Sequence, residues 1–348
     1  MKIMIASTIV PFVEGGGTFI VDWTASKLRE HGHQVEVFKI PFSHYPNYMI
    51  EQMLAVRLFD VAETCDRLIS IRTPSYLLSH PNHVSWFIHH YRLAYELWDT
   101  KYQTSIVKDH HGMRFKETII NSDNVYLRRV TKLFTNSKEI SGRLKKYNNI
   151  DSEVLYPPLM DAEDFVCKKY GDYIYYSSRI AENKRQMLAI EAMRYTRSKV
   201  KLIITGKPDA QRYATIMRKY IETHNLSSKV KLIDNWISKK EKIAYFSECL
   251  AAMYIPYDED SYGYPSLEAF SSKKAVITCN DSGGTDELIT HNQNGYIVES
   301  SPEKLAQAMD DLYLKKDVAR EMGEFAYETL QNKGITWKNV VSKLTERY

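Results

Sequence analysis

Two carboxylates lie eight residues apart in the stretch "DSYGYPSLEAF", which starts at Asp260 and contains Glu268. The intervening Gly263 and Pro265 predict a turn that leads into a helix. Glu268 would then lie in the early turns of this helix, beside backbone N–H groups without a partner inside the helix. A carboxylate there can accept hydrogen bonds from two neighbouring hydroxyls, as acids do with ribose in dinucleotide-binding folds. The stretch is either an ordinary acidic helix start or a hydroxyl-binding site.

A second cluster lies in "YYSSRIAENKRQ", where Arg179 and Lys184 flank a short turn between a strand and a helix. A guanidinium can bind two phosphate oxygens at once, and an ammonium can neutralise a third. The pair would therefore suit a diphosphate. The alternative is ordinary surface charge.

Two further strand-end stretches suit parts of a nucleotide. "VEGGGTF" (13–19) places Gly16 and Gly17 at a helix start, where backbone N–H groups and the helix dipole favour an anion. It is neither a dinucleotide-binding nor a P-loop pattern, and such a loop can be a simple turn. Trp236 and Ile237 in "DNWISKKE" could form an apolar slot for a nucleobase.

Two histidines, His89 and His90, end the strand pattern "HVSWFIHH", and Arg92 follows them. Adjacent side chains on a strand point to opposite faces, so at most one histidine would face a given pocket. The zinc-binding spacing HExxH is lacking, and we therefore expect no metal site.

Apolar segments alternate with helical patterns along the chain, from "KIMIAS" to "SEVLYPP" and again from "YIYYSSRI" to "GYIVES". This alternation predicts parallel βαβ units. A proline-containing break over 155–173 separates the two series and is typical of a linker between domains. The fold class is therefore α/β, with two doubly wound Rossmann-like domains. Their ligand is expected at the carboxyl ends of the strands, in a cleft between the domains.

The composition excludes several classes of protein. A chain of 348 residues with 44% hydrophobic and 26% charged residues is globular, and a net charge of only +4 argues against a nucleic-acid binder. The segment 101–150 carries 11 basic and 4 acidic residues. It is either a pair of solvated helices or a surface for an anionic membrane. Four scattered cysteines, with no signal-peptide pattern and no long apolar run, indicate a cytoplasmic protein, with the inner membrane face as a further option.

Four motifs resemble those of the retaining glycosyltransferases of the GT-B fold, in particular family GT4. In chain order they are "SRIAENK", "DSYGYPSLEA", "SGGTDEL" and "NQNGYIV". They are similar to the family's G-R-L-x-x-x-K, E-x7-E, G-G-x-x-E and N-G segments, and the resemblance covers essentially the whole chain. It implies an acceptor-side domain over 1–160, a nucleotide-sugar-binding domain over 161–329, and a final helix, about 330–348, that packs back on the first domain.

The resemblance also implies roles for individual residues. Arg179 and Lys184 would bind the donor diphosphate, and Glu268 would hold the ribose. Asp260 would contact the transferred sugar, and His89 would face that sugar from the other domain. The residues expected to be catalytic are Asp260, His89, Arg179 and Lys184. The other residues expected to bind the donor are Gly16, Gly17, Trp236, Ile237, Gly263, Tyr264, Pro265, Leu267 and Glu268.

This chain departs from the family pattern at three positions. Ser178 and Arg185 stand where glycine is common, and Asp260 replaces the first glutamate with a side chain one methylene shorter. The last change affects the expected identity of the donor sugar more than the class of reaction.

The expected activity is transfer of a hexose from a UDP- or GDP-sugar, with retention, to a hydroxyl of a glycan, lipid-linked or small-molecule acceptor. No cofactor or metal is expected, because protein cations would stabilise the departing diphosphate. Two alternatives remain open: a sugar-nucleotide epimerase of the same architecture, and a non-catalytic partner subunit that keeps the fold.

Overall fold

The computed structural model describes residues 1–12, 16–103 and 105–348. They form two compact units: Met1–Pro158 together with Thr336–Tyr348, and Leu159–Ile335. The division after Pro158 lies in the proline-containing segment, where the alternation of strands and helices is interrupted.

Unit 1 is built on a six-stranded parallel sheet with the order β2-β1-β3-β4-β5-β6. Its strands are β1 (Lys2–Ile9), β2 (Gln34–Pro41), β3 (Arg67–Ser70), β4 (His83–Phe87), β5 (Lys132–Thr135) and β6 (Glu153–Val154). Its helices are α1 (Gly16–Glu30), α2 (Pro46–Leu58), α3 (His110–Tyr126), α4 (Lys138–Asn148) and the C-terminal α11 (Trp337–Thr345).

The C-terminal helix α11 belongs to unit 1. Its spaced apolar residues Val340, Val341 and Leu344 are buried in one cluster with side chains of α1, β1 and β4. The buried Arg67 of β3 donates a hydrogen bond to the Leu344 carbonyl at 2.8 Å. The apolar spacing on the helix and this capped carbonyl together fix the end of the chain on the first sheet.

Unit 2 repeats the architecture with the strand order β12-β11-β10-β7-β8-β9, also parallel throughout. Its strands are β7 (Tyr173–Ser177), β8 (Lys201–Thr205), β9 (Val230–Ile233), β10 (Ala251–Met253), β11 (Val276–Cys279) and β12 (Gly295–Val298). Its helices are α5 (Gln186–Ala192), α6 (Gln211–Thr223), α7 (Lys239–Glu248), α8 (Tyr264–Ser271), α9 (Pro302–Leu314) and α10 (Lys316–Asn332).

The predicted fold class is confirmed: every predicted strand segment contains a strand, and both sheets are doubly wound. Each sheet has a point at which the chain reverses its direction of winding, between β1 and β3 in unit 1 and between β7 and β10 in unit 2. Ligands of open α/β sheets bind beyond the carboxyl ends of the strands at such switch points. Across the described ranges, no helix has the length and apolar character needed to cross a bilayer.

Candidate functional site

The acidic loop that follows β10 is shaped by a glycine at its end. Gly263, the residue before α8, has φ +72°, and a Cβ at this position would lie 2.3 Å from Cε1 of the Tyr254 ring. Both the positive φ and the close ring exclude larger side chains. Gly263 therefore allows the loop to turn over Tyr254 and enter the helix that carries Glu268.

The glycine pair in "SGGTDEL" holds the other side of this loop. A Cβ on Gly283 would lie 2.3 Å from the Glu259 carbonyl oxygen, and one on Gly284 would lie 2.8 Å from Cα of Ser261. Gly283 and Glu259 also form an isolated parallel bridge. These glycines thus permit direct backbone packing of the loop after β11 against the acidic loop.

Lys184 lies at the switch point of unit 2, where it joins the ends of β7 and β10. Its ammonium forms an ion pair with Glu259 and contacts the Tyr254 hydroxyl at 3.2 Å. Both charged side chains are largely buried, with 11% and 17% of their surfaces exposed. Sequence reasoning selected Lys184 but missed Glu259, although three consecutive acids, residues 258–260, are a visible signal.

Asp260 is half-buried in the same loop. Burial raises the pKa of the Tyr254 hydroxyl well above its usual value, and the charges of Glu259 and Asp260 raise it further. Asp260 therefore lies near the Tyr254 hydroxyl, the group that Lys184 also contacts.

Arg179 extends from the end of β7 on the side of β8. Its guanidinium contacts the carboxylate of Asp209 at 2.7 Å, and both side chains are largely exposed. An exposed pair of this kind is weak and can exchange partners with a ligand. An anionic ligand can therefore bind Arg179 by displacing Asp209 from this exposed ion pair.

The two departures from glycine have different structural outcomes. Arg185 adopts the left-handed conformation with φ +55°, which explains why glycine would suit this position. Its side chain forms a bidentate pair with Asp281, at 2.7 and 2.8 Å, and donates to the carbonyls of Ile255 and Pro256. Arg185 thus fastens the turn after β7 to the loops after β10 and β11.

Ser178, the other departure from glycine, accepts a hydrogen bond from the Gln186 side-chain amide at 2.8 Å.

Glu268 is the fifth residue of α8, and its side chain is only 5% exposed. Its partner is Lys242 of α7, with Nζ 2.5 Å from Oε1. Burial raises the pKa of the Glu268 carboxyl, and the charge and hydrogen bond of Lys242 oppose that rise. Sequence reasoning missed Lys242, which lies 26 residues away in the chain.

The other residues predicted beside Glu268 lie in the first turn of α8. Tyr264 and Pro265 begin the helix, and Leu267 is buried. Burial and the charge of Glu268 raise the pKa of Tyr264. The structure therefore places this predicted set in the helical turn that precedes Glu268.

Trp236 and Ile237 lie in the loop between β9 and α7. Trp236 is 64% exposed, while Ile237 is half-buried. The next residue, Ser238, caps α7 in a capping box with Glu241. This cap fixes the direction in which the loop enters the helix that carries Lys242.

At the switch point of unit 1, Gly16 and Gly17 are the first residues of α1. Val13, Glu14 and Gly15 of the same glycine-rich stretch lie outside the described residues. A Cβ on Gly17 would lie 3.3 Å from Nε of Arg72, a residue that follows β3. Arg72 also donates to the Thr8 carbonyl at 2.9 Å. Sequence reasoning missed Arg72, whose guanidinium lies beside the first turn of α1, where a helix favours an anionic ligand.

The two adjacent histidines have different environments. His90 is buried and contacts the Asn148 side chain through Nε2 at 2.9 Å, whereas His89 is half-buried. The His89 carbonyl accepts a hydrogen bond from Thr73 at 2.8 Å, so the ends of β3 and β4 are tied together. Burial, together with the charges of His89 and Arg72, lowers the pKa of the nearby His44 to about 4. Of the two predicted alternatives, His89 is the more accessible one.

Over the described part of the chain, no group of three or more His, Cys, Asp and Glu side chains is placed to hold a metal ion.

Residues 163–329, which make up nearly all of unit 2, match the family model "Glycosyl transferases group 1". Among curated proteins, the human alpha-1,3/1,6-mannosyltransferase ALG2 is 27% identical over 202 residues, an alignment that covers 51% of this chain and 48% of that protein. The mouse ALG2 protein is 25% identical over the same length. The chain spans about half the length of the curated relatives it matches.

Solved structures match along nearly the whole chain. The sucrose-phosphate synthase of Thermosynechococcus elongatus superposes with a TM-score of 0.79 at 15% identity, covering 98% of this chain and 97% of that one. Anabaena HepE, solved with UDP and glucose, has a TM-score of 0.70 at 15% identity and covers 98% of both chains. These likenesses establish the GT-B fold. The resemblance to the glycosyl transferases group 1 family lies in the second unit of this fold.

Proposed function

We propose that this protein is a retaining glycosyltransferase that moves a hexose from a nucleotide diphosphate sugar to an acceptor hydroxyl. The observation that carries the proposal is the buried Glu268 on α8, in a group 1 domain with Lys184 and Arg179 at its strand ends. A buried carboxylate with open hydrogen-bonding capacity suits the ribose diol. The named activity of ALG2, a mannosyltransferase, supports the same class of reaction.

Each strand-end group has a proposed task in this reaction. Arg179 and Lys184 bind the diphosphate and stabilise the negative charge that grows as it departs. Asp260 binds hydroxyls of the transferred sugar, and His89 is proposed as a further residue that contacts this sugar. Gly16 and Gly17 offer backbone N–H groups to the diphosphate or the acceptor.

Retention follows in this proposal from attack on one face of the sugar. The acceptor oxygen approaches from the side on which the phosphate leaves, and the departing phosphate takes the acceptor's proton. The bond from the anomeric carbon to the phosphate oxygen breaks as the bond to the acceptor oxygen forms. Protein cations carry the electrostatic role, and the proposal needs no metal ion or other cofactor.

The donor base is proposed to be uracil or guanine. Anabaena HepE was solved with UDP and glucose, which supports a uridine donor for a protein of this fold. A thermal-shift screen of UDP, GDP and their hexose conjugates tests the assignment, because a ligand that binds the folded state raises Tm by mass action. A shift with one base and not the other identifies the donor class.

Replacement of the site residues tests the proposed roles directly. Glu268→Ala and Arg179→Ala should each reduce kcat/KM for the donor by roughly a hundredfold, about 3 kcal/mol of lost transition-state stabilisation. Arg212→Ala, at an exposed arginine of α6, is the matched control and should keep near-normal activity. Near-normal turnover in both site variants would contradict the assignments.

Two other outcomes would favour a different function. Conversion of a nucleotide sugar without any acceptor would favour an epimerase. Absence of binding to every nucleotide tested, measured by calorimetry, would favour a non-catalytic partner subunit.

We also propose that unit 1 contacts an anionic membrane at the cytoplasmic face, where a glycan or lipid-linked acceptor would be reached. The packed helices α2 and α3 expose Leu54, Leu58, Met113 and Val125. Basic residues of 101–150 are exposed on the same unit: Lys101, Lys108, Arg114, Arg128, Arg129, Lys138, Lys145 and Lys146. Exposed apolar side chains and exposed cations on one domain are features of proteins that bind anionic lipids.

Liposome flotation at low and high salt tests this contact. Vesicles with acidic lipids should retain the protein at low salt and release most of it at high salt, since screening weakens the attraction. Vesicles of neutral lipid are the control, and Leu58→Ser with Arg114→Glu should reduce retention. Equal recovery with acidic and neutral vesicles would exclude the proposed docking.

A further inference from the structure

We propose that Lys242 is a positioning residue for the nucleotide, which holds the Glu268 carboxylate in the geometry and charge state needed to accept the ribose hydroxyls. The inference rests on the proposed function. It concerns a residue of α7 that none of the four family-like motifs contains.

The contact between the two side chains joins separate elements of unit 2. Lys242 Nζ lies 2.5 Å from Glu268 Oε1, so α7, which follows β9, is linked to α8, which follows β10. The Glu268 side chain is 5% exposed, whereas that of Lys242 is 31% exposed. The ammonium is therefore borne on a side chain more accessible to solvent than the carboxylate that it contacts.

The hydrogen-bonding capacity of the pair is compatible with a bound diol. An ionised carboxylate has about four acceptor sites, and one ammonium hydrogen occupies one of them. Oε2 and the second site of Oε1 remain for the two hydroxyls. Lys242 thus orients the carboxylate without saturating it.

Lys242 supplies positive charge beside the buried Glu268 carboxylate. The titratable groups that interact with it are Lys242 from α7, Tyr264 from its own helix and Tyr175 from β7. Of these three, Lys242 alone is cationic. A buried carboxylate that loses its cationic partner tends to take up a proton. A protonated carboxyl accepts hydrogen bonds less well and would compete as a donor.

The start of α7 is fixed independently of this pair. The capping box of Ser238 and Glu241 sets the first turn, and Lys239 binds Asp161 at 2.8 Å and Asp164 at 2.6 Å. Lys242 is therefore presented from an anchored helix that begins directly after Trp236 and Ile237. One element would position both the predicted base slot and the ribose carboxylate.

Calorimetric titration with UDP and with GDP, between pH 8 and pH 5.5, tests the inference on the full chain. For the base that wild type binds, Lys242→Met should weaken binding roughly tenfold at pH 7 and up to tenfold more for each further pH unit on acidification. The ratio of the variant's Kd to that of wild type cancels the titration of the nucleotide's own phosphates. A merely structural role would shift this ratio equally at every pH.

Matched variants separate the possible outcomes. Lys242→Arg should restore most of the affinity and flatten the pH dependence, and Lys240→Met, at an exposed lysine of the same helix, should behave like wild type. Lys242→Met in a Glu268→Gln background should have no additional pH-dependent effect. Circular dichroism and Tm establish that each variant is folded.

Two results would contradict the assignments, and they differ. If wild type binds neither UDP nor GDP, the proposed function fails. If wild type binds one of them and the Kd ratio for Lys242→Met is near one, or constant across pH, the proposed function stands and the role of Lys242 is overturned.

Discussion

The switch points of the two units place cations in different settings. In unit 2, four cations at the strand ends and neighbouring helices are paired with acids: Arg179 with Asp209, Lys184 with Glu259, Arg185 with Asp281 and Lys242 with Glu268. In unit 1, Arg72 lies against Gly17 at the start of α1 and donates to a backbone carbonyl, and the buried His90 is bonded to an amide.

The difference separates two ways of preparing a site for an anion. A cation held by a carboxylate is well positioned, but an anionic ligand must exchange with that carboxylate. A cation held by a carbonyl at a helix N-terminus keeps its charge in an environment that already favours anions. The same doubly wound topology thus holds ion-paired cations at the switch point of unit 2 and an arginine bonded to a backbone carbonyl at that of unit 1.

Replacement of Arg185, one of the paired cations of unit 2, should have the largest expected effect, a loss of stability. Arg185→Ala leaves the carbonyls of Ile255 and Pro256 and the Asp281 carboxylate without their common partner, and should lower the free energy of unfolding by about 3 kcal/mol. Arg185→Gly should be less harmful by about 1 kcal/mol, because glycine adopts the left-handed conformation without strain. Urea denaturation measures both. Equal stability of wild type and Arg185→Ala would show that this ion pair does not organise unit 2.

An acid-sensitive element is expected in unit 1. The pKa of His44 is about 4 in the folded protein, lowered first by burial and then by His89 and Arg72, against 6.5 as its ordinary value. The unfolded chain therefore gains a proton first, and the contribution of His44 to stability is present above pH 6.5 and lost as the pH falls toward 4. The loss should be about 1 kcal/mol at pH 5.5.

His44→Phe tests whether His44 is the source of this acid sensitivity. The variant keeps a ring that can stack on Tyr91 and removes the titrating group. Denaturation at pH 7.5 and pH 5.5 should show a smaller loss of stability in the variant than in wild type. The same loss in both proteins would mean that His44 is not the source of acid sensitivity.

The smallest expected effect is on nucleotide affinity, when Glu259, the acid that an anionic ligand must displace from Lys184, is replaced. Glu259→Gln removes the negative partner of Lys184 but keeps the size of the side chain. UDP or GDP, whichever wild type binds, should bind a few times more tightly, on the order of 1 kcal/mol for the removal of one opposing charge. Asp209→Asn is the parallel change at the exposed Arg179 pair and should have less effect. Weaker binding by Glu259→Gln would show instead that Glu259 positions the lysine.

Much of the fold could be predicted from sequence because its signals are local. Short apolar segments such as "KLIIT" of β8 and spaced apolar residues such as those of α11 record which face is buried. Parallel strands place their carboxyl ends at one edge of the sheet, so the position of Arg179 and Lys184 directly after a strand pattern is enough to assign them to a strand-end region.

The partners of these residues could not be predicted in this way. Lys184 and Glu259 are 75 residues apart, and Lys242 and Glu268 come from helices whose mutual packing no local pattern specifies. Arg72 follows β3 and His44 follows β2, and neither carries a motif; they come close because both strands pair with β1.

The sequence by itself determined the order of strands and helices, the two doubly wound units and the position of Arg179 and Lys184 after a strand, because periodicity and turn residues act over a few positions. Tertiary structure alone decided that His89 rather than His90 is accessible, that Arg185 fastens three loops, and that Glu268 is buried against Lys242. Charge pairing and burial depend on distances between segments far apart in the chain, and only the packing of the sheets and helices sets those distances.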